Sequence, residues 1–276
     1  MNVLVIGAGS IGRRHILNLI QMGHHVEVAE IDPARRENIK NAAVIHSDVP
    51  SGGFDAAVIC VPSNRHIQVL DQCIWEGWPC YVEKPLAHDT DIDRLIEIDR
   101  TAGRVPVVVG YQLRFHESVI AMKRRHFPFP LSRGRLVCHC NMDDWEGSSG
   151  RSDFLLELSH EIDLALYLGG YRSELISSDV DFDNRSATIE FSGWVVDIYG
   201  SSDTYLRSWE RWSGDGSRTK TVFNASFLLG NEMYVRAMRS FLTHVRTGSA
   251  RDSVKRCTLG EAIRVLDVIR RVRAAS

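Results

Sequence analysis

The chain has 276 residues, 44% hydrophobic and 25% charged, which allows a sizeable core, or two modest ones, in an ordinary water-compatible globular protein. Its formal net charge of −2 gives no field for nucleic acid or an anionic membrane, and the most basic stretch, Lys123-Arg124-Arg125-His126, reads as a solvated helix end. No apolar run approaches the ~20 residues needed to span a bilayer, and Met1-Asn2 leads straight into an apolar run, so a cytoplasmic protein without a targeting segment is expected.

The first half alternates strand-like and helix-like segments. Val3–Ile6 is a continuous apolar run, as in a strand covered on both faces. Glycines follow, then a helical stretch from Ile11 to Met22. Val26–Glu30 is the second strand, Ala34–Lys40 a helix behind Pro33, and Ala42–His46 a short third strand. Ala56–Val61 is another buried run, and Pro62-Ser63-Asn64 opens a helix over His66–Trp75. Tyr81-Val82 is a short strand ending at Glu83-Lys84-Pro85, followed by a helix over Asp89–Thr101 and a strand over Val105–Val109. This alternation predicts a doubly wound parallel sheet, a Rossmann domain over residues 1–117.

Residues 118–276 read as an α+β domain. Leu136–Met142 is strand-like, and Phe154–Leu168 is a helix stopped by Gly169-Gly170. Leu175–Val180, Ser186–Phe191, Trp194–Tyr199 and Lys220–Phe223 predict a largely antiparallel sheet. Glu232–Thr247 and Gly260–Ala274 are amphipathic helices. The cysteines Cys60, Cys73, Cys80, Cys138, Cys140 and Cys257 form no C-x-x-C pair, and Cys138-His139-Cys140 would send its imidazole to the opposite face of a strand from its sulfurs. Reduced thiols and no metal site are expected.

Gly7-Ala8-Gly9-Ser10-Ile11-Gly12 is G-x-G-x-x-G, and it stands where a dinucleotide fingerprint must, after a buried strand and at the start of a helix. Gly7 permits the tight turn, Gly9 the approach of a pyrophosphate, and Gly12 close helix–strand packing. Glu30 and Asp32 are the candidates to grip the ribose. Glu30 is preferred because it ends the apolar strand, while Asp32-Pro33 resembles a helix cap. A carboxylate there repels a 2′-phosphate and favours NAD over NADP. Arg35 and Arg36 argue weakly the other way and read as exposed helix charges.

Together these features resemble the Gfo/Idh/MocA family of oxidoreductases, almost end to end. The resemblance rests on Gly7–Gly12 followed by Arg14-His15, on Val61-Pro62-Ser63-Asn64-Arg65-His66, on Glu83-Lys84-Pro85, on Gly110-Tyr111-Gln112-Leu113-Arg114-Phe115, and on His160-Glu161-Ile162-Asp163. It implies that Lys84 and His160 are the catalytic pair, and that Pro62, Asn64, Glu83 and Gln112 surround the nicotinamide half of the cofactor. Val61, His66 and Lys84 are then counted with them, and Ser10 and Ile11 with the glycines, as cofactor contacts. The chemistry agrees: a histidine starts near the neutral pKa that suits removal of a hydroxyl proton, and a lysine at a strand's C-terminal end can stabilise alkoxide charge.

Helical spacing adds Glu157 and Asp163, each three residues from His160, as carboxylates flanking the imidazole and catalytic candidates with it. The family pattern has Asp-x-Gly-x-His before this helix, whereas here Glu157 stands three residues before the histidine. This form, with Asp144-Trp145 upstream and a shortened loop Trp145–Asp153, resembles a subgroup from bacterial surface-sugar gene clusters. The expected activity is NAD-dependent hydride transfer at a secondary alcohol or ketone of a sugar, nucleotide sugar or cyclic polyol. The alternative is a nucleotide- or sugar-sensing protein on the same fold without turnover; reduction of a non-sugar carbonyl or imine is a third reading. Phe191, Trp194, Val195, Val196, Ile198 and Tyr199, within Ser186–Tyr205, further predict a homodimer or homotetramer through the outer face of the second sheet.

Overall fold

The computed structural model describes residues 1–103, 105–126, 134–141, 154–201, 207–212, 218–223, 230–250 and 253–276. The loop Trp145–Asp153, Asp144 before it, and Tyr205 lie outside the described residues.

The chain opens with β1 (Asn2–Ile6), α1 (Ser10–Gln21), β2 (His25–Ala29), α2 (Pro33–Arg36), β3 (Val44–His46), β4 (Ala56–Ile59), α3 (His66–Trp75), β5 (Cys80–Val82), α4 (Ile92–Thr101) and β6 (Val107–Val109). Val3, Leu4 and Val5 have no exposed surface, as a strand covered on both faces requires. β1 pairs in parallel with β2 on one side and with β4 on the other, in register Leu4↔Glu27 and Leu4↔Ala57. The sheet order β6-β5-β4-β1-β2-β3 reverses direction of travel at β1, so the carboxyl ends of β1 and β4 frame the crevice where doubly wound sheets bind ligands. The helix expected over Ala34–Lys40 is only the single turn α2, because its cap, Asp32, and Pro33 set its start and nothing on it is buried to extend it.

The second half begins with α5 (Glu117–His126), whose last residues are the basic helix end expected at Lys123–His126, and β7 (Gly134–Asn141). Then come α6 (Phe154–Glu157), α7 (Ser159–Gly169), β8 (Leu175–Asp181), β9 (Ser186–Phe191), β10 (Trp194–Ser201), β11 (Arg207–Trp212) and β12 (Arg218–Phe223). These strands form a sheet in the order β12-β11-β7-β10-β9-β8, antiparallel except for the β7–β10 pair. The chain ends with α8 (Glu232–Thr247), β13 (Cys257–Thr258) and α9 (Leu259–Ala275).

The two compact units are not consecutive in sequence. One comprises residues 1–112 and 232–263, the other 113–231 and 264–276. β13 pairs antiparallel with β6, Cys257↔Val109 and Thr258↔Val108, and so extends the Rossmann sheet at its edge. A boundary at 117/118 with everything later in one domain misses this return, which a two-residue strand does not announce by its pattern.

The aromatic patch expected on the outer face of the second sheet is corrected by the structure. Phe191, Trp194, Val196 and Ile198 are all buried by the unit's own packing. The Trp194 indole lies against Gly169 at the end of α7, where even a Cβ would come within 2.3 Å of the ring. It also stacks on Phe191 with centroids 4.0 Å apart and donates from Nε1 to Ser173 Oγ at 3.1 Å. The opposite face carries paired charges: Arg135 binds Asp197, which also accepts from Thr188 at 2.9 Å, and Arg218 binds Glu210. Tyr199 and Val222 are its exposed large residues of note. Trp194→Asp is therefore expected to cost about 3–5 kcal/mol of folding stability rather than to split an oligomer. Urea denaturation measures it, and a folded variant with the wild-type midpoint would contradict this placement.

Candidate functional site

The turn after β1 is built by two glycines that have no room and one that has. Gly7 has φ +95, and a Cβ on it would sit 2.8 Å from the Cys60 carbonyl oxygen. A Cβ on Gly12 would stand 2.0 Å from the Gly7 oxygen, so only glycine lets α1 close on this turn. At Gly9 the nearest neighbour of a Cβ would be Arg35 Nη1 at 3.9 Å. Gly9 thus faces open space at the start of α1, a helix of 12 residues whose first turn carries no acidic side chain and whose cap makes no side-chain hydrogen bond. Its first N–H groups form a seat for an anionic phosphate. Ser10 is exposed and Ile11 half-buried at this seat.

Glu30, just after β2, is buried, and its carboxylate reaches the glycine turn. Oε2 accepts from the Ala8 N–H at 2.7 Å and Oε1 from the Asp32 N–H at 2.9 Å. Asp32 is the cap of α2, accepting from Ala34 N–H at 2.9 Å, and pairs with Arg35 at 3.3 Å. Arg36 is bound to main chain, donating to the carbonyl oxygens of Glu30 and Ile31 at 2.8 and 2.9 Å. Of the two acids, Glu30 is the one joined to the glycine turn.

On the other side of β1, β4 runs into Val61 and Pro62, the former half-buried and the latter exposed, and then into a short 3-10 turn, Ser63–Arg65, that carries exposed Asn64. β5 runs into Glu83, Lys84 and Pro85, with the Lys84–Pro85 peptide cis. Lys84 is half-buried, and its N–H donates to Glu83 Oε2 at 3.2 Å. The Glu83 carboxylate is buried against His15 of α1, Oε1 to Nε2 at 2.7 Å. Gly110 leaves room for it: a Cβ there would stand 3.1 Å from the carboxylate.

Around this pair lie Tyr81, 5.5 Å from the His15 ring, and Tyr234 of α8 at 6.0 Å. Arg14 lies over the Tyr234 ring at 4.5 Å, and buried Gln112 hydrogen-bonds Tyr234. The Gln112 Oε1 has no partner among the described residues. Burial, and then the Glu83 carboxylate, push the hydroxyls of Tyr81 and Tyr234 and the thiol of Cys60 above their ordinary pKa values. His15 entered the sequence reading only as part of a motif, and Tyr234 not at all, because α8 returns to this unit from 120 residues beyond Gln112.

His66 was counted among the cofactor contacts, but the structure encloses it in main chain. It is 2% exposed; Nδ1 faces the carbonyl oxygens of Pro85 and Leu86 at 3.0 and 3.1 Å, and Nε2 faces that of Val61 at 2.8 Å. Burial lowers its pKa, and the three carbonyls and Glu83 oppose that shift.

In the second unit the expected continuous helix is broken. α6 ends at Glu157, Leu158 is a bend, and α7 starts at Ser159 with Leu158 accepting from Glu161 and Ile162 N–H at 2.9 and 3.1 Å. Glu157 and His160 are half-buried on either side of the break, so a straight-helix spacing does not apply between them. Residues 161–169 are all buried. Asp163, expected beside the imidazole, has both oxygens on Arg114, from Nε at 3.0 Å and Nη2 at 2.6 Å. Tyr171 donates to the same carboxylate at 2.6 Å, and Arg114 lies between the rings of Tyr167 and Tyr171, 5.1 and 5.2 Å from their centroids.

Comparison with known proteins fits this arrangement. Residues 1–111 match the model of the Gfo/Idh/MocA oxidoreductase family, described as having an NAD-binding Rossmann fold. An inositol 2-dehydrogenase of Saccharopolyspora erythraea is 28% identical over 204 residues, 67% of this chain and 58% of that protein. The chain thus spans little more than half the length of curated relatives it matches. A probable dehydrogenase from Thermotoga maritima superposes with a TM-score of 0.81 at 18% identity, covering all of this chain and 96% of that one. A scyllo-inositol dehydrogenase from Lactobacillus casei, solved with NAD(H) and scyllo-inositol, gives 0.80 at 13% over 100% and 96%. At these identities the structures establish a shared fold.

Proposed function

The chain belongs, through residues 1–111, to the Gfo/Idh/MocA oxidoreductase family with its NAD-binding Rossmann fold, and from that premise we propose that it is an NAD-dependent dehydrogenase acting on a secondary alcohol of a cyclic polyol or sugar. The observation that carries the reading is one sheet that offers, at the carboxyl ends of its strands, both an open glycine seat at Gly9 and the half-buried Lys84. The seat fits a dinucleotide. Gly9 and the N–H groups of α1 suit the pyrophosphate, Glu30 suits the ribose hydroxyls, and the unpartnered Gln112 Oε1 suits an amide N–H.

When bound, NAD supplies the hydride acceptor. The chain's own part is acid–base and electrostatic chemistry. Lys84 donates a hydrogen bond to the substrate oxygen and stabilises the alkoxide charge that grows there as the hydroxyl proton leaves, a charge that the departure of hydride then discharges into C=O. His160 takes the hydroxyl proton, so that a CH–OH becomes C=O with hydride and proton both accounted for. The inositol dehydrogenases among the relatives support a ring polyol as the first substrate to try. Following NADH formation with myo-inositol, scyllo-inositol and a panel of sugars and nucleotide sugars tests the reading. NADH binding without turnover on any of them favours a sensor, and no NADH binding would sink both readings.

The cofactor is NAD rather than NADP in this reading. The Glu30 carboxylate, fixed by two main-chain N–H groups, cannot swing away from a 2′-phosphate. NADH is expected to bind about tenfold or more tightly than NADPH, since a like-charge contact costs several kcal/mol. Glu30→Ala is expected to narrow the gap and also to weaken NADH, because the Ala8 N–H loses its acceptor. Equal or tighter binding of NADPH to the wild type, in a fluorescence titration, would reverse the assignment.

A further inference from the structure

β4 and β5 are paired through Ile59↔Val82, and the last main-chain bond between them runs from Glu83 N–H to the Ile59 oxygen at 3.0 Å. Beyond it both chains carry a proline, Pro62 and Pro85, which has no N–H to continue a ladder. Cys60 N–H turns instead to the Ile6 oxygen, and the Pro62 oxygen accepts from Arg65 N–H, both at 2.8 Å. What lies between the two chains is the His66 ring, with Val61 O on one edge and Pro85 O and Leu86 O on the other.

We propose that His66 is a positioning residue that ties the turn after β4 to the segment after Lys84 and thereby sets where Lys84 stands relative to the cofactor turn. A residue that only filled space would not need three carbonyl oxygens converging on its two nitrogens. Those carbonyls are acceptors, and the neutral imidazole has a single N–H to offer them: from Nδ1 it donates to Pro85 and Leu86, from Nε2 to Val61. Its two edges have different tasks. The tautomer with its proton on Nδ1 holds Pro85 and Leu86, immediately after Lys84, and is the one the proposal requires; the tautomer with its proton on Nε2 holds only Val61, five residues back along its own chain. On the far side of Lys84, Glu83 is fixed by His15 at 2.7 Å, so the lysine lies between two anchored neighbours. His66 itself, enclosed at 2% exposure, meets neither substrate nor cofactor and acts through Lys84.

The proposal rests on the catalytic reading of Lys84, and the two edges of the ring allow a test that separates the two. An asparagine amide nitrogen stands near the place of Nδ1, and a glutamine amide nitrogen near that of Nε2. His66→Asn and His66→Gln, with Lys84→Ala beside them, are compared by steady-state oxidation of myo-inositol, NADH titration and hydrogen exchange of the segment 80–90. His66→Gln is expected to lower kcat about 10- to 100-fold, as a displacement of ~1 Å of a catalytic group can. NADH affinity is expected to stay within about twofold, with faster exchange at Lys84–Ala87. His66→Asn is expected to recover most of the kcat loss and to exchange more slowly there than His66→Gln. Equal losses and equal exchange in the two variants would overturn the proposal, as would faster exchange confined to 60–66. Full turnover by Lys84→Ala would remove the lysine from the mechanism, and the exchange comparison, which needs no turnover, would still decide whether His66 holds the segment.

Discussion

Lys84→Ala is expected to lower kcat by about 10²–10⁴-fold while NADH affinity changes no more than a few-fold, and His160→Ala to do the same. The expectation for Lys84 is clean because its main chain is held without its side chain: its N–H is on Glu83, Glu83 is on His15, and the carbonyls of Pro85 and Leu86 are on His66. Truncation at Cβ therefore removes the ammonium and leaves these main-chain anchors in place. His160 lies in the first turn of α7, where the following residues are packed and the imidazole is half-buried, so its removal leaves the helix seated. Rapid-quench or steady-state rates on whichever polyol or sugar of the panel is turned over, beside NADH titrations, measure both. Rates within a few-fold of wild type would take these residues out of the chemistry, and a loss of NADH affinity equal to the loss of rate would move them to binding.

The Rossmann half was readable because its signals are local. Val3–Ile6 and Ala56–Val61 are apolar without alternation, which a strand covered on both faces demands, and the glycine motif stands between the first of them and a helix. The separate tasks of Gly7, Gly9 and Gly12 follow from the same geometry, as does Asp32 as a cap. What was not readable depends on distant partners. Nothing in Glu232–Thr247 says that Tyr234 comes to rest beside His15 and Gln112, nor in Cys257-Thr258 that they add an edge strand. The face of β10 was misjudged because alternation tells which residues share a side but not which side is covered; Gly169 decided that by making a slot for Trp194. The surroundings of His66 were hidden for a related reason: a histidine two residues after Asn64 is near the cofactor turn in sequence, but the start of α3 turns its ring inward to the main chain.

Arg114→Ala is expected to destabilise the protein by about 3–5 kcal/mol, because it leaves the Asp163 carboxylate buried without its cation. Both side chains have no exposed surface, and the two guanidinium contacts at 2.6 and 3.0 Å are of the forked kind that lends a buried pair its geometry. The rings of Tyr167 and Tyr171 cover the guanidinium, so solvent cannot take its place when it is removed. For a chain of this size the loss amounts to a fall of about 10 °C in Tm. Arg114→Ala combined with Asp163→Ala should cost less than the sum of the single changes, since the second substitution removes the stranded charge. A functional consequence accompanies it: Asp163 is one turn beyond His160 on α7, so Arg114 anchors the helix that carries the proposed base. At a temperature where the variant remains folded, kcat is expected to fall by more than KM for NAD rises. Thermal unfolding with the double-mutant cycle and the kinetic split measure these effects; a single Arg114→Ala within about 1 kcal/mol of wild type, or strictly additive changes, would mean that the pair contributes little to α7's anchorage.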